Sequence, residues 1–298
     1  MNKLLIDIFL NKRIRKLLYL ISPKILISYR YLLLRGRLPI LNNPKLLDEK
    51  LIWLNLYWKH PLKTICADKY LVRNYIKKQH LENILVPLLG NYSSPDEIDF
   101  DKLPSKFVLK CNHGCGFNIF CTDKRFFNFQ KAKTTLSKWQ RINFSHLYGE
   151  LHYSSIKPMI LCEEFLDDKT GALPIDYKLY CFDGLVHCTM VCIGRDINSR
   201  AKQYIFFDRD WKKRYPYNTQ SIQNNADFLM PEAYLKLVEY AEILSKPFPF
   251  VRIDFYIVDN KPFFGEMTFT PDGCIDPNLT QEAQMIMGDL INLPKKYL

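Results

Sequence analysis

Lys110 ends a short apolar run and stands directly before a loop that contains two glycines. The loop residues His113, Gly114 and Gly116 separate this run from a second one at Asn118 to Thr122. A hairpin of this form lets backbone N–H groups close over phosphate oxygens while the lysine adds a positive charge. A tight turn needs glycines even without a ligand, so a phosphate site and a purely structural turn both stay open.

Glu163 and Glu164 are adjacent carboxylates near the end of an apolar run, and Asp176 and Lys178 begin the next one. Successive side chains of a strand point to opposite faces. At least one of the two glutamates should therefore face buried or ligand-bound surroundings. If the run is an edge strand, both carboxylates are exposed instead.

Asp254 and Glu266 lie in two apolar runs that a turn-like sequence, Asp259-Asn260-Lys261, separates. The pattern predicts a hairpin. If the two acids are opposite one another, they form a carboxylate pair suited to Mg²⁺, which takes one or two carboxylates and completes its coordination with phosphate oxygens and water. Arg252 offers a partner to one of the acids, so an ion pair is the alternative.

Short runs rich in β-branched and aromatic residues must position these side chains, and eight of them are predicted as strands. They are Phe107 to Cys111, Asn118 to Thr122, Met159 to Phe165, Asp176 to Phe182, Val186 to Ile193, Tyr204 to Phe207, Phe250 to Val258 and Pro262 to Phe269. Helices are predicted at Leu46 to Trp58, Ala67 to Lys78, Lys131 to Leu147, Pro231 to Leu244 and after Pro277, and Asn91 to Pro104 as a surface connection. Strands and helices do not alternate strictly, which favours α+β lobes over one doubly wound sheet.

The composition is that of a folded chain of about two domains, with 298 residues, 48% hydrophobic and 24% charged. Disordered and fibrous proteins are excluded. Nine cysteines are an odd number without a CxxC pair, which excludes a complete disulfide framework and favours the cytosol. Cys111, His113 and Cys115 have metal-ligand chemistry, but such spacing rarely builds a closed site without a fourth ligand.

Most of the net charge of +11 lies near the N-terminus. Residues 1–37 contain nine basic residues against Asp7 alone: Lys3, Lys12, Arg13, Arg15, Lys16, Lys24, Arg30, Arg35 and Arg37. Apolar residues recur there with helical spacing, and Pro23 interrupts them. No run approaches the roughly 20 apolar residues that span a bilayer, and the run from Leu4 to Leu10 is too short for a signal peptide.

Two interpretations of the N-terminal segment remain. It is an interfacial helix whose apolar face enters the headgroup region while Lys and Arg meet anionic lipid, or an amphipathic helix packed on its own domain or on a partner subunit. Nucleic acid is not expected as a partner, because aromatic residues do not interleave with the basic ones.

The clusters, in this order, resemble the ATP-grasp superfamily and most closely its teichuronopeptide-biosynthesis-like family, found with surface-polysaccharide genes. The resemblance runs from about Asn43 to Pro277. It rests on Ala67 to Arg73, Phe107 to Asn118, Glu163 to Phe165, Asp176 to Lys178, Phe207 to Trp211 and Arg252 to Thr270. It implies an α+β ATP-grasp fold with ATP between two lobes. The expected parts are a basic amphipathic helical segment (1–42), an N-terminal helical part (43–105), a small ATP-binding lobe with the glycine loop (106–166) and a C-terminal lobe (167–298).

The resemblance also implies roles for single residues. Lys69 and Lys110 would bind phosphates, Glu163 would face the adenine amino group, and Asp254 and Glu266 would hold Mg²⁺. Thr268 would be a third metal ligand at a position where the family usually has Asn, which puts a second metal ion in doubt. The remaining expected site residues form a nucleotide-contacting set, His113, Gly114, Gly116, Glu164, Phe165 and Leu166, together with Asp176 near the ribose and Arg252 and Lys178 beside the reacting groups.

The chemistry that the resemblance implies is ATP-dependent ligation of a carboxylate to an amine through an acyl phosphate. The gene context of the family suggests an amino acid joined to a uronic acid of a cell-surface polysaccharide or its lipid-linked precursor. Such a substrate lies at the inner membrane face. The expected enzyme is cytoplasmic, with peripheral attachment to that membrane as one option, and uses ATP and Mg²⁺ as cofactors.

A glycosyltransferase is the rival class, since Asp208-Arg209-Asp210 has the D-x-D form that holds a divalent ion against a nucleotide sugar. This short motif is weak evidence in a chain of such length, and it leaves Lys110, Asp254 and Glu266 unexplained. A non-catalytic scaffold is the third class, which the intact carboxylate pair disfavours.

Overall fold

Two antiparallel sheets organise the chain in the computed structural model, which describes residues 11–167, 173–194, 203–219 and 228–294. The strands are β1 Leu88–Tyr92, β2 Phe107–Cys111, β3 Asn118–Cys121, β4 Ile160–Glu164, β5 Asp176–Phe182, β6 Leu185–Ile193, β7 Gln203–Asp208, β8 Arg214–Tyr215, β9 Phe250–Val258 and β10 Lys261–Thr268. The α-helices are α1 Lys12–Ile21, α2 Pro23–Arg35, α3 Leu47–Tyr57, α4 Pro61–Ala67, α5 Val72–Lys78, α6 Phe129–Gln140, α7 Ser145–Tyr148, α8 Tyr234–Ser245 and α9 Gln281–Asp289. Short 3₁₀ turns lie at Glu82–Ile84, Pro95–Glu97, Phe100–Lys102, Lys124–Phe126, Leu151–Tyr153 and Pro271–Cys274. This mixture confirms the predicted α+β class.

The smaller sheet has the strand order β1-β4-β2-β3. Its strand β2 is buried along its whole length except at Lys110, because Phe107 and Leu109 enter the core on one face. Val108 pairs with Glu163 and Lys110 with Leu161 across β2 and β4, so the polar side chains of the two strands share one face. This face carries the first part of the site.

The larger sheet has the order β10-β9-β5-β6-β7-β8. Strand β9 lies between β10 and β5, and its residues Val251, Ile253 and Phe255 are fully buried. Helix α8 packs on this sheet through buried residues such as Leu237 and Ala241, which recur at helical spacing. The opposite face of the sheet carries polar residues of β9 and β10.

The helix predicted from Ala67 to Lys78 is wrong in its first part. Helix α4 ends at Ala67, and Asp68 follows in an extended conformation. The Asp68 carboxylate accepts hydrogen bonds from the backbone N–H groups of Tyr70 and Leu71, which caps the chain before α5 begins at Val72. The interruption places Lys69 in a turn rather than on a helix.

Two further boundaries differ from the sequence predictions. The helix predicted at Lys131 to Leu147 is two helices, α6 and α7, joined by a short turn. Strand β1 was not predicted, and its end overlaps the segment Asn91 to Pro104, expected to be a surface connection. Gly90 and Asn91 have low strand propensity, and pairing with β4 over this stretch overrides it.

Helix α2 is part of the folded body. Leu26, Ile27 and Tyr31 are buried. The Arg30 guanidinium donates hydrogen bonds of 2.6 and 2.7 Å to the carbonyl oxygens of Asp272 and Gly273, beyond the end of β10. These contacts favour the packed-helix interpretation for α2.

Other basic residues near the N-terminus are also engaged inside the protein. Arg35 forms an ion pair of 2.5 Å with the buried Asp48 carboxylate, and Arg37 pairs with Glu49 at 2.8 Å. The expectation that this charge is free to meet lipid is therefore wrong for Arg30 and Arg35, whereas Arg37 stays exposed beside Glu49. Residues 1–10, which include Lys3 and Asp7, lie outside the described residues. No helix in the described part of the chain is long and apolar enough to cross a membrane.

Candidate functional site

A cavity of about 460 Å³ lies between the two sheets, within the range of small-molecule sites. Ten of the predicted site residues line it: Lys69, Lys110, Gly116, Glu164, Phe165, Leu166, Lys178, Arg252, Asp254 and Glu266. The other five, His113, Gly114, Glu163, Asp176 and Thr268, are not part of the lining. The sequence clusters are thus brought together from both sheets.

Asp254 and Glu266 are Cα partners across β9 and β10, as the hairpin prediction required. A β-bulge at Gly265 creates this register, because Phe264 pairs with Phe255 on one side of the bulge and Glu266 pairs with Asp254 on the other. Without the extra residue, Glu266 would move to the other face of the sheet. A Cβ atom on Gly265 would lie 2.9 Å from the Asp254 carbonyl oxygen, so this position requires glycine.

Both carboxylates are bound by cationic side chains. Arg252 donates to Asp254 at 2.7 and 2.8 Å, and Lys178 forms a short ion pair with the same carboxylate. Glu266 lies 3.2 Å from the Lys69 ammonium and 3.8 Å from the Arg252 guanidinium. The predicted alternative, an Arg252 ion pair, therefore coexists with the paired carboxylates.

The electrostatics of the site keep Glu266 ionised. Burial alone would raise its pKa, but Lys69, Lys178 and Arg252 outweigh burial and lower the pKa of Glu266 to about 2. Burial alone would lower the pKa of Lys69, but the nearby Glu266 carboxylate outweighs burial and raises the pKa of Lys69 above its ordinary value. At neutral pH the site therefore presents fixed charges of both signs.

The available side chains fit Mg²⁺, because this ion prefers oxygen ligands. Asp254 and Glu266 supply two carboxylates on one face, and the Thr268 hydroxyl donates to Glu266 at 3.1 Å. The described residues hold no group of three or more His, Cys, Asp or Glu side chains suited to a metal ion. An ion at this pair would therefore need phosphate oxygens and water to complete its coordination.

Lys110 and Glu163 form an ion pair of 2.6 Å on the shared face of β2 and β4. Arg73 holds the other carboxylate oxygen of Glu163 at 3.3 Å and donates to the carbonyl of Val86 at 2.9 Å. Glu163 is thus buried behind the cavity, whereas Glu164 is exposed on its wall. The role of Glu163 toward an adenine group stays a prediction.

The glycine loop closes over the site from the small sheet. The Lys69 ammonium donates to the Gly114 carbonyl oxygen at 2.7 Å, and Gly116 has a left-handed φ of 76°. His113 lies outside the cavity lining; its Nε2 donates to the Trp139 carbonyl at 3.2 Å, and burial lowers its pKa. Its contact with a nucleotide stays a prediction.

Asp176 is buried beside Lys178, whose ammonium lies 3.5 Å from its carboxylate. Burial lowers the pKa of Lys178, but Asp176 and Asp254 raise it well above the ordinary value. The predicted position of Asp176 near a ribose stays a prediction, and its observed contact is with the catalytic candidate Lys178.

Apolar and aromatic side chains also line the cavity. Sequence reasoning missed most of them: Val86, Val108, Phe120, Leu173, Met190, Tyr204 and Tyr256. Met190 is the cross-strand partner of Lys178. Only the register of β5 and β6 would have revealed it, since apolar residues occur throughout both strands.

The D-x-D segment has a structural role at the end of β7. Asp208 accepts hydrogen bonds from the backbone N–H groups of Lys212 and Lys213, and Arg209 pairs with Glu242 at 2.9 Å. None of the three motif residues lines the cavity. All nine cysteines are free, and Cys111, His113 and Cys115 form no metal cluster.

Residues 49–292 match the model of the TupA-like ATP-grasp family. The chain belongs to this family. It has the ATP-grasp fold. No curated protein gives a significant match.

Solved structures with a similar fold are ligases of low sequence identity. D-alanine–D-alanine ligase from Bacillus anthracis, solved with ATP, is 15% identical with a TM-score of 0.47 over 76% of this chain and 65% of its own. L-amino acid ligase from Bacillus licheniformis is 14% identical with a TM-score of 0.45 over 74% of this chain and 48% of its own. The TupA-like chain thus spans less than two thirds of either ligase.

Proposed function

We propose that this TupA-like ATP-grasp protein is an ATP-dependent ligase that joins a carboxylate to an amine. The observation that carries the proposal is the pair Asp254 and Glu266, which the Gly265 bulge aligns on a cavity wall shared with Lys69 and Lys110. A carboxylate pair beside lysines from another element is the arrangement that Mg²⁺-dependent phosphoryl transfer needs. The family match supports it independently.

In this proposal, one set of residues binds the nucleotide and another holds the metal ion. Lys69, Lys110 and the loop at Gly116 bind the phosphates, and the apolar wall that includes Phe165 and Met190 accepts the base. Asp254 and Glu266 would hold Mg²⁺, with the Thr268 hydroxyl beside them. The bound ion would neutralise phosphate charge.

Lys178 and Arg252 act on the transferred group. Both are cationic, and both line the cavity beside Asp254. A substrate carboxylate oxygen attacks the γ-phosphorus while the bond to ADP breaks. The amine then attacks the acyl carbon, the phosphate leaves, and the amine gives up a proton. Fixed cations in a partly closed site stabilise the charge that develops in the first step.

The substrate class we propose is a uronic-acid carboxylate of a cell-surface glycan or its lipid-linked precursor, with an amino acid as the amine. Helix α1 supports placement at a membrane surface. It and the start of α2 expose apolar and basic side chains together: Lys12, Arg13, Lys16, Leu17, Leu20, Ile21, Lys24 and Ile25. Such a combination suits an anionic bilayer surface.

The glycosyltransferase alternative has less support. The Asp208 carboxylate accepts a hydrogen bond from the Lys212 backbone N–H in a turn, and Asp208 lies outside the cavity lining. A thermal-shift comparison of Mg-ATP with Mg-UDP-sugars separates the two functions. We expect Mg-ATP alone to raise the midpoint of unfolding, since a ligand that binds only the folded state stabilises it. Stabilisation by a UDP-sugar without stabilisation by ATP would refute the ligase proposal.

A further inference from the structure

Among the described residues, Lys63 is a buried cation that forms no direct ion pair, although its electrostatic interactions with Cys274 and Glu150 act to raise its pKa. Only 5% of its surface is exposed, and its ammonium donates one hydrogen bond, of 3.3 Å, to the carbonyl oxygen of Leu54. The Trp58 ring centroid lies 5.9 Å away. Burial lowers the pKa of Lys63 to about 8, which leaves the side chain mostly protonated at neutral pH. A buried ammonium with so few partners is costly unless an anion joins it.

Within the described ranges, His152 is a buried side chain whose polar atoms are unsatisfied. It is 5% exposed, and in the described part of the protein neither Nδ1 nor Nε2 has a partner. Its ring contacts are to Tyr153 and Phe269. A neutral imidazole has one N–H donor and one acceptor nitrogen, and both are normally satisfied when the ring is buried.

The two side chains line the same cavity, of about 530 Å³. Its wall also includes Asn55, Trp58 and His60, and it has no lining residue in common with the first cavity. Lys59 and Ser154 are exposed at its edge, so the cavity is accessible from solvent.

Other polar side chains of the wall already have partners within the protein. Asn55 donates to the Gly149 carbonyl at 2.8 Å and accepts from the Leu151 N–H at 3.1 Å. His60 accepts the N–H of Leu62 through Nδ1 and stacks on Trp58. Lys63 and His152 are therefore the buried groups of this wall with unused hydrogen-bonding capacity.

We propose that this second cavity binds the carboxylate or phosphate group of a small anionic molecule, with Lys63 as its counter-ion and His152 as a hydrogen-bond donor. An oxyanion supplies what Lys63 lacks, a negative charge, and what the imidazole N–H lacks, an acceptor. The site is separate from the proposed nucleotide site, and its occupation does not depend on ligase activity.

The full-length chain, saturated with Mg-ADP to occupy the first cavity, provides the test. The ring C–H signals of His152 in proton–carbon NMR spectra, assigned by their loss in His152→Gln, are followed during titration with inorganic phosphate, glucuronate and neutral glucose. We expect saturable shifts with phosphate, glucuronate or both, and none with glucose. The two anions distinguish a phosphate from a sugar carboxylate as the preferred group.

Variants localise the binding. Lys63→Met should weaken it by about tenfold or more, since the counter-ion is lost at similar side-chain shape. Lys106→Ala, at an exposed residue outside the lining of both cavities, should leave the affinity unchanged. An unresponsive His152 signal in the wild-type chain would overturn the proposal even if Lys63→Met does not fold. Equal shifts in a folded Lys63→Met variant would also overturn it.

Discussion

Glu266 faces Asp254 because Gly265 adds one residue to β10. The bulge shifts the pairing of β10 with β9 by one residue. Only the register after the bulge places a carboxylate opposite Asp254 on the cavity side. The alignment of the proposed metal ligands therefore depends on a residue that has no functional group.

Substitution of Gly265 by Ala should reduce ATP turnover by about tenfold or more, because the new Cβ would crowd the Asp254 carbonyl and displace one of the paired acids. We expect a loss of stability of about 1–3 kcal/mol from the same strain. Phosphate release and urea denaturation measure the two effects. Full activity in a folded Gly265→Ala variant would show that the bulge does not position the site.

Lys110→Ala and Glu266→Gln should each lower ATP turnover by roughly 100-fold with the fold retained, since each removes a charge that acts on the phosphates or the metal. Lys106→Ala is the matched control. Lys106 precedes the same strand, is exposed and pairs with Asp167 outside the cavity lining. Phosphate release is measured with a panel of amino acids and uronic acids, and circular dichroism checks each fold. Parent rates in both site variants would contradict the assignment.

Hydroxylamine should convert the activated substrate into a hydroxamate, because an acyl phosphate is electrophilic at carbon. The ferric-hydroxamate colour assay detects the product, and omission of ATP is the control. If a carboxylate stimulates ADP formation and yet gives no hydroxamate, the enzyme is instead a kinase whose product retains the phosphate.

The Glu150→Gln variant should change how stability depends on pH. Burial raises the pKa of Glu150 from 4.5 to about 7, although the hydrogen bond of 2.6 Å from the Thr270 hydroxyl acts to lower it. The folded state therefore binds a proton more tightly than the unfolded state, and wild-type stability falls as pH rises from 4.5 through about 7. The glutamine, which never ionises, should gain up to about 3 kcal/mol relative to wild type over this range. Urea denaturation at pH 5 and pH 8 measures it, and an unchanged difference between the two proteins would refute the buried proton.

Helix α1 should bind anionic vesicles through its exposed apolar residues. Leu17→Ser, Leu20→Ser and Ile21→Ser combined should reduce sedimentation with phosphatidylserine vesicles. Leu185→Ser with Leu235→Ser, which changes exposed leucines elsewhere, is the control. High salt should weaken the binding in part, because screening affects only its ionic share. Equal sedimentation of both variants and the parent would exclude α1 as the contact. Removal of residues up to Arg37 is unsuitable as a test, since Arg30 and Tyr31 are buried.

The sequence predicted strands best where most residues are buried. Strands β5 and β9 begin and end at the predicted residues, because buried aromatic and aliphatic side chains make up most of each strand. The Gly265 bulge escaped prediction, since a glycine between apolar residues does not reveal which register the pairing takes. Asp68 was overlooked for a similar reason: its carboxylate ends a pattern whose helical spacing continues.

Sequence motifs predicted the charged residues of the main site, but they did not predict its apolar lining or the second cavity. Lys69, Lys110 and Glu266 carry recognisable chemistry, whereas Met190 is one of many apolar strand residues. Lys63 and His152 are far apart in the sequence and ordinary by type. Their lack of partners becomes visible only when the packing around each side chain is known.

The contact between Arg30 and the carbonyl oxygen of Gly273 joins residues 243 positions apart. Contacts of such high contact order form late, since the loop entropy must be overcome before they contribute. During synthesis, α2 leaves the ribosome long before the turn that follows β10 exists. Helices α1, α3 and α7, which α2 also contacts, are synthesised earlier, but the carbonyl acceptors of Arg30 are made late. The Arg30 guanidinium therefore stays hydrated until β10 and its turn have emerged, and docking of α2 is completed only near the end of synthesis.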